Sequence, residues 1–200
     1  DGIERGRYLA QGLGHCAACH SPRDRWGGLG AASALSGGLM PSGWYAPSLL
    51  DPKEAGVQGQ PVADTVALLG QGRNAEHRVS GPMADVVAQS LRHWREDDLR
   101  ALARHLADLP TRQAPRRAPA ATTGRAGELG ARVYEQQCTS CHGKQGEGAR
   151  LASGELAYPA LAGNRAVTLD SPANLIRMVQ EGGFGLPSAR EPRSRVMPPL

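Results

Sequence analysis

The sequence predicts an all-α protein built from two tandem units that are joined by a linker rich in proline and arginine. Three observations lead to this fold class: one pentapeptide occurs twice, apolar residues recur at helical spacing, and a stretch rich in Pro and Arg separates the two copies. A chain of 200 residues is long enough for two small domains. We predict a first domain over residues 1–110, a linker over 111–125 and a second domain over 126–200.

The helices of the first unit are predicted from periodicity and from signals at their ends. An opening helix is expected over 2–14, and two shorter helices around 64–69 and 84–93. The closing helix over 96–109 carries leucines and alanines at helical spacing, with acidic side chains at its N-terminal end, where the helix dipole favours them. Pro110 then ends this helix, because proline cannot continue it.

The second unit opens with a helix that is predicted over 127–137. Gly130 and Tyr134 are four residues apart and share one face of it, where the small residue lets another helix approach closely. A later helix is predicted over 171–181, with its serine as N-cap and the following proline in the first turn. No closing helix follows in this sequence, and we expect the natural protein to continue with one.

Composition and charge limit what the chain can build and bind. The chain has few aromatic residues (one Phe, three Trp and four Tyr) and many Gly and Pro (26 and 15). This composition predicts small cores, which in small domains usually need an additional stabilising group. The net charge of +4 comes from linker arginines without acidic neighbours, and no basic face with stacking aromatics is visible. No stretch approaches the roughly 18 apolar residues that cross a bilayer. We therefore expect a bound group in the core and no nucleic-acid partner.

The repeated pentapeptide is Cys-x-x-Cys-His, and its two copies use all four cysteines of the chain. It is the attachment signature of c-type haem, in which two thiols form thioethers with the porphyrin and the histidine binds the iron. The two copies predict two covalently bound haems c. The attachment residues are Cys16, Cys19, Cys138 and Cys141, and the axial histidines are His20 and His142.

Other uses of these cysteines explain the pattern less well. A redox Cys-x-x-Cys pair does not need a histidine after each copy. A zinc site made from both pairs would need a separation far longer than that of a zinc ribbon. Disulfides within each pair would leave both histidines without a role.

The opposite axial position of each iron is predicted to hold a methionine. A thioether there closes the site and raises the reduction potential. Met83 and Met197 lie late in their units beside prolines, where the chain can return across a haem face. Met40 and Met178 are weaker candidates, because methionine often only fills gaps in a core. Among the remaining histidines, His77 is the one that competes with Met83 by its position in the sequence.

Further segments of the chain carry a resemblance to a known family. They cover residues 5–9, 14–23, 43–49, 81–87, 161–164 and 196–199. Through them the chain resembles the multi-haem cytochrome c subunits of bacterial membrane-bound alcohol, gluconate, fructose and aldehyde dehydrogenases. It is similar to the second and third haem domains of those subunits, so both units are expected to be cytochrome c-like.

The resemblance implies a role, a location and partners. The chain is expected to be a non-catalytic subunit that carries single electrons from a dehydrogenase catalytic subunit to quinone or to a terminal oxidoreductase. A periplasmic location is implied, with attachment to the outer face of the cytoplasmic membrane through the partner or through regions outside this sequence. Trp44 and Tyr45 are candidates either to hold a haem propionate or to shield the haem edge from water. The Pro22 carbonyl is the candidate acceptor for the axial His20.

An enzymatic alternative stays open at this point. A dihaem c enzyme, such as a peroxidase or a thiosulfate dehydrogenase, would require one iron with an open or displaceable ligand. The candidate methionine for each haem argues against that alternative, and the spin state of the oxidised protein distinguishes the two.

Overall fold

A computed structural model describes residues 2–113, 123–154, 156–184, 186 and 196–200. These parts contain eight α-helices and three short antiparallel strand pairs, so the protein is rich in helix but not purely α. The chain divides into two compact units, which are described separately. One consists of Asp1–Ala114 with Ser171–Leu200, and the other of Pro115–Asp170.

Five helices of the first unit follow the predicted order. They are α1 (Gly2–Gln11), α2 (Ala17–His20), α3 (Val62–Gln71), α4 (Pro82–Gln89) and α5 (Glu96–Asp108). The segment predicted as one helix over 84–93 is divided, because α4 ends at Gln89 and a 3₁₀ turn follows at Leu91–His93. The predicted opening and closing helices are confirmed as α1 and α5, each slightly shorter than expected.

The core of the first unit forms where α1 crosses α5. Leu9 of α1 and Leu102 of α5 are almost fully buried there, and Val87 of α4 is fully buried in the same unit. Gly6 lies against the backbone of Ala101, and the missing side chain is what allows the two helices to approach so closely. Apolar burial of this kind supplies most of the stability of the unit.

A two-stranded pair of the first unit lies beside the first haem motif. β1 (Gly38–Leu39) pairs antiparallel with β2 (Tyr45–Ala46). The chain between them turns at Met40, whose carbonyl accepts a hydrogen bond from the N–H of Gly43 at 2.9 Å. This pair brings the chain after β2 back toward the motif.

The second unit is built around its own haem motif. It contains α6 (Arg125–Gln137), α7 (Thr139–His142) and the strands β3 (Ala149–Arg150) and β4 (Leu156–Tyr158). The helix predicted over 127–137 is confirmed as α6 and begins two residues earlier. β3 and β4 pair antiparallel with a bulge. Much of the predicted linker, residues 114–122, lies outside the described residues.

The C-terminal part of the chain belongs to the first compact unit. It consists of α8 (Ala173–Glu181) and the antiparallel pair β5 (Gly183–Phe184) and β6 (Val196–Met197). The side chain of Asn174 on α8 accepts from the N–H of Tyr45 at 2.8 Å and donates to its carbonyl at 2.7 Å. Leu186 packs against the core. The assignment of 126–200 to one haem domain therefore stays a prediction.

Candidate haem sites

The first motif forms a single helical turn. Cys16 has helical backbone angles and precedes α2, and its carbonyl accepts hydrogen bonds from the N–H of Cys19 at 3.3 Å and of His20 at 3.0 Å. Residues three and four positions apart share one face of a helix. The two thiols and the imidazole therefore project from the same side, which is the arrangement that attachment to one porphyrin requires.

The second motif repeats this turn. The carbonyl of Cys138 accepts from the N–H of Cys141 at 3.2 Å and of His142 at 2.9 Å. It follows α6 without an intervening loop, since the N–H of Cys138 donates to the Tyr134 carbonyl at 2.9 Å. The Tyr134 hydroxyl donates to the Gly143 carbonyl at 2.7 Å and ties the end of α7 back to α6.

The histidine of each motif is oriented by a backbone carbonyl. Nδ1 of His20 lies 2.7 Å from the oxygen of Pro47, and Nδ1 of His142 lies 2.9 Å from that of Pro159. A carbonyl oxygen only accepts, so Nδ1 must carry the proton and Nε2 keeps its lone pair for a metal. Burial lowers the pKa of His20, which favours the same neutral ring.

The predicted acceptor for His20 was wrong. The Pro22 carbonyl was expected, but the structure gives Pro47, far along the chain. The reason is the β1–β2 pair, which returns the segment after Ala46 across the motif. A partner brought close by such a loop has no signature in the spacing of the motif.

No disulfide joins any of the four cysteines. Burial raises the pKa of the Cys16 thiol, whereas Cys19 is exposed. Among the described residues, no group of three or more His, Cys, Asp or Glu side chains is arranged to hold a metal ion.

Met83 lies in the first turn of α4, directly after Pro82. It packs against the same apolar cluster as Cys16, so a predicted attachment thiol and the predicted thioether ligand share one hydrophobic environment. Neutral imidazole, thiols and thioether around an apolar cluster are the donors that haem c takes. The residues of the first unit therefore fit the group chemically.

Met197 is half-buried on β6, opposite Gly183 of β5. It belongs to the first compact unit and His142 to the second. Its ligation to the second iron stays a prediction.

Trp44 and Tyr45 border the first site in different ways. Trp44 packs against Gly81, which lies in the turn before Met83. A Cβ atom on Gly81 would lie 2.7 Å from the indole ring. The Tyr45 hydroxyl donates to Glu54 at 3.0 Å. A propionate contact through Tyr45 stays a prediction, and it would compete with Glu54 for the single phenol proton.

Two polar contacts near the first motif were not foreseen from the sequence. The Arg23 guanidinium donates to the carbonyl of Ala18 inside the motif at 3.0 Å and to that of Gly27 at 2.9 Å. Glu54 accepts from the N–H of Ser48 at 2.6 Å. The sequence indicates neither of these contacts, and only the fold of the two loops shows what Arg23 and Glu54 bind.

No helix in the described parts of the chain is both long and apolar enough to cross a lipid bilayer.

Comparison with known proteins gives a consistent result. Residues 125–196 match the family model for subunit III of cbb3-type cytochrome c oxidase. The chain is 35% identical to the cytochrome c subunit of alcohol dehydrogenase (quinone) from Gluconobacter oxydans, over 98% of this chain and 43% of the relative. It is 35% identical to the gluconate 2-dehydrogenase cytochrome c subunit from Pantoea cypripedii, over 90% of this chain and 44% of the relative.

A third relative is named for a different dehydrogenase. The fructose dehydrogenase cytochrome subunit from Gluconobacter japonicus is 28% identical, over 91% of this chain and 41% of the relative. The chain thus spans less than half the length of these relatives. The predicted resemblance is confirmed: homologues over most of the chain are cytochrome c subunits of dehydrogenases, and a cytochrome c domain, which implies covalently bound haem c, is present.

Proposed function

Starting from a cytochrome c domain that is homologous to dehydrogenase subunits, we propose that this chain is a dihaem electron carrier. The observation that carries the proposal is the duplicated helical turn, each copy ending in a histidine whose Nδ1 is held by a proline carbonyl. Haem iron supplies one-electron chemistry when bound. The chain supplies attachment, orientation and an apolar environment.

In the first unit, Cys16 and Cys19 attach the porphyrin, and Nε2 of His20 and the sulfur of Met83 bind the iron. The support is the shared face of the turn and the shared apolar cluster of Cys16 and Met83. An imidazole and a thioether as the two protein ligands would keep solvent water from the metal, which suits electron transfer rather than substrate binding.

In the second unit, Cys138 and Cys141 attach the porphyrin and His142 binds the iron. Met197 is the proposed sixth ligand, supported by its position before two prolines. Full ligation of both irons would leave no open site for a peroxidase or a thiosulfate dehydrogenase.

The proposed donor is the catalytic subunit of a dehydrogenase, and the proposed acceptor is quinone or a terminal oxidoreductase. The support is that the three relatives above are named as cytochrome subunits of dehydrogenases. Since haem c attachment takes place outside the cytoplasm, the proposed location is the periplasm. Attachment to the outer face of the cytoplasmic membrane would come from the partner or from regions outside this sequence.

The four methionines provide the test, because each can be replaced by alanine in the haem-loaded protein. Met83→Ala and Met197→Ala should each convert half of the haem from low spin to high spin. Met40→Ala and Met178→Ala are matched controls and should keep both haems low spin. The measurements are the mass increment for covalent haem and the absorption and paramagnetic resonance spectra of the oxidised protein.

Three results would contradict the proposal. A polypeptide that carries no haem after expression with the attachment machinery rules out the cofactor. An unchanged low-spin spectrum in Met83→Ala rules out that ligand. A five-coordinate haem in the oxidised wild-type protein would favour the enzymatic alternative.

A further inference from the structure

The carboxylate of Glu54 is connected to His20 of the first unit through hydrogen bonds to one shared peptide group. One of its oxygens, Oε2, accepts from the backbone N–H of Ser48 at 2.6 Å and from the hydroxyl of Tyr45 at 3.0 Å. Ser48 is buried, so water does not compete freely for its N–H. A charged acceptor on a buried amide makes a strong hydrogen bond.

The amide that Glu54 binds is the same one that orients His20. The peptide group between Pro47 and Ser48 offers its carbonyl to Nδ1 of His20 at 2.7 Å and its N–H to Glu54 at 2.6 Å. Nitrogen and carbonyl oxygen of one peptide are coupled by resonance. Electron density that the carboxylate pushes onto the nitrogen therefore increases the accepting power of the oxygen.

The loop is built to hold this arrangement. Gly37, at φ +87°, donates its N–H to the His20 carbonyl at 2.8 Å. A Cβ at this position would lie 3.0 Å from the Ser48 nitrogen and would press on the Tyr45 hydroxyl. The N–H of Ala55 donates to the Ser48 carbonyl at 3.0 Å and closes the loop behind Glu54. The contacts around the amide thus come from three separate segments.

We propose that Glu54 is a positioning residue that acts on the first haem through the Pro47–Ser48 peptide. By strengthening the hydrogen bond from Nδ1, it makes His20 a stronger electron donor and favours the oxidised iron. The inference rests on the proposed function, because it requires a haem at His20. It assigns to Glu54 a contribution that lowers the reduction potential of that haem alone.

The second unit lacks this arrangement among its described residues. Its acceptor peptide joins Pro159 to Ala160, and the N–H of Ala160 donates to no described carboxylate. Glu147 instead accepts from the N–H of Gln145 at 2.8 Å, within the loop after the motif. The hydrogen bond from His142 is also the longer of the two. The two haems should therefore respond differently to loss of their nearby carboxylates.

The test is Glu54→Gln in the haem-loaded protein, because the amide oxygen of glutamine keeps an acceptor while the charge is removed. Proton NMR during a redox titration follows each haem separately. We expect the equilibrium constant for reduction of the first haem to rise about threefold, which is about 28 mV at 59 mV per tenfold change, and that of the second to stay unchanged. The Nδ1 proton of His20 should move upfield.

Two further variants distinguish this role from a general effect of removing a negative charge and from a through-space effect of the Glu54 charge. Asp24→Asn removes a carboxylate that also accepts from backbone N–H groups, of Trp26 and Gly28 at 2.8 Å each, and it should leave the first haem unchanged. Glu54→Asp keeps the charge but shortens the side chain. It should shift the potential in the direction of Glu54→Gln, whereas a through-space effect predicts no shift.

The outcomes distinguish this inference from the function on which it rests. If Glu54→Gln carries two low-spin haems and the potential and the Nδ1 proton of the first are unchanged, the role of Glu54 is wrong and the electron carrier stands. If the wild-type protein carries no haem, the proposed function fails. If Glu54→Gln does not fold, Glu54→Asp decides: a wild-type potential overturns the inference, and a raised one supports it.

Discussion

Gly6 and Gly130 allow the same substitution to be made on the opening helix of each unit with opposite expected effects. Both glycines lie in the interior of a helix, α1 and α6 respectively. A Cβ on Gly6 would lie 2.7 Å from the carbonyl carbon of Ala101 and from the Cβ of His105, and closer still to the Ala101 oxygen. A Cβ on Gly130 meets no described atom within 4 Å.

The magnitudes follow from these surroundings. Alanine is favoured over glycine in a helix by about 0.8–1 kcal/mol. At Gly130 nothing opposes that gain, so Gly130→Ala should stabilise the second unit by about that amount. At Gly6 the contact is with backbone, which cannot rotate away, and overpacking of this kind costs about 1–3 kcal/mol or more. Because the close contact is with backbone atoms, the cost should fall at the upper end of that range, and the net change for Gly6→Ala should be a loss of about 2 kcal/mol.

The assay can report the first unit alone, because all three tryptophans, Trp26, Trp44 and Trp94, lie in it. Urea unfolding followed by tryptophan fluorescence should give a lower midpoint for Gly6→Ala, with unchanged slope. Calorimetry of Gly130→Ala should show a higher unfolding temperature for the second unit. The reasoning is refuted if Gly6→Ala is as stable as the wild-type protein, since α1 and α5 would then not be held at the distance described.

Two further substitutions test the core and its pH dependence. Leu102→Ala removes a side chain that is 1% exposed and should lower the free energy of unfolding by about 2–5 kcal/mol in the same urea assay. A loss below about 1 kcal/mol would mean that the core is not packed as described. Burial lowers the pKa of His105, so its contribution to stability is complete above the unfolded value of about 6.5 and is lost as the pH falls through the folded value. His105→Gln should reduce the change of the urea midpoint between about pH 8 and about pH 5. His93→Gln, at an exposed position, is the control. An unchanged pH dependence of the midpoint in His105→Gln would contradict the prediction.

Local patterns in the sequence predicted the parts of the fold that local physics determines. The leucines at helical spacing and the acidic first turn specify α5, and the helix ends one residue earlier than expected. The haem motif forms its turn from short-range hydrogen bonds, which explains why both copies share the same local geometry. The role of a small residue was predicted for Gly130, although in the described residues the close contact is made by Gly6.

Contacts between distant segments were not predictable in the same way. The acceptor for His20 comes from a loop that returns through the β1–β2 pair, so Pro22 was the wrong candidate and Pro47 the right one. Asn174 binds both backbone groups of Tyr45, a contact that no pattern in either segment indicates. Such pairings depend on loop closure, which sequence spacing does not encode.

These two kinds of contact bear on the proposal that one motif serves two haems with different potentials. The turn and the histidine at its end are alike in both units because the same five-residue pattern produces them. The groups behind the acceptor carbonyls differ, since Ser48 binds a carboxylate and Ala160 binds none among the described residues. Hydrogen bonding and burial around the axial ligand tune a haem potential. On the proposal of two haems, a difference between their potentials should therefore be sought in the returning loops rather than in the motifs. Replacement of residues 45–55 should then alter a potential without disturbing attachment.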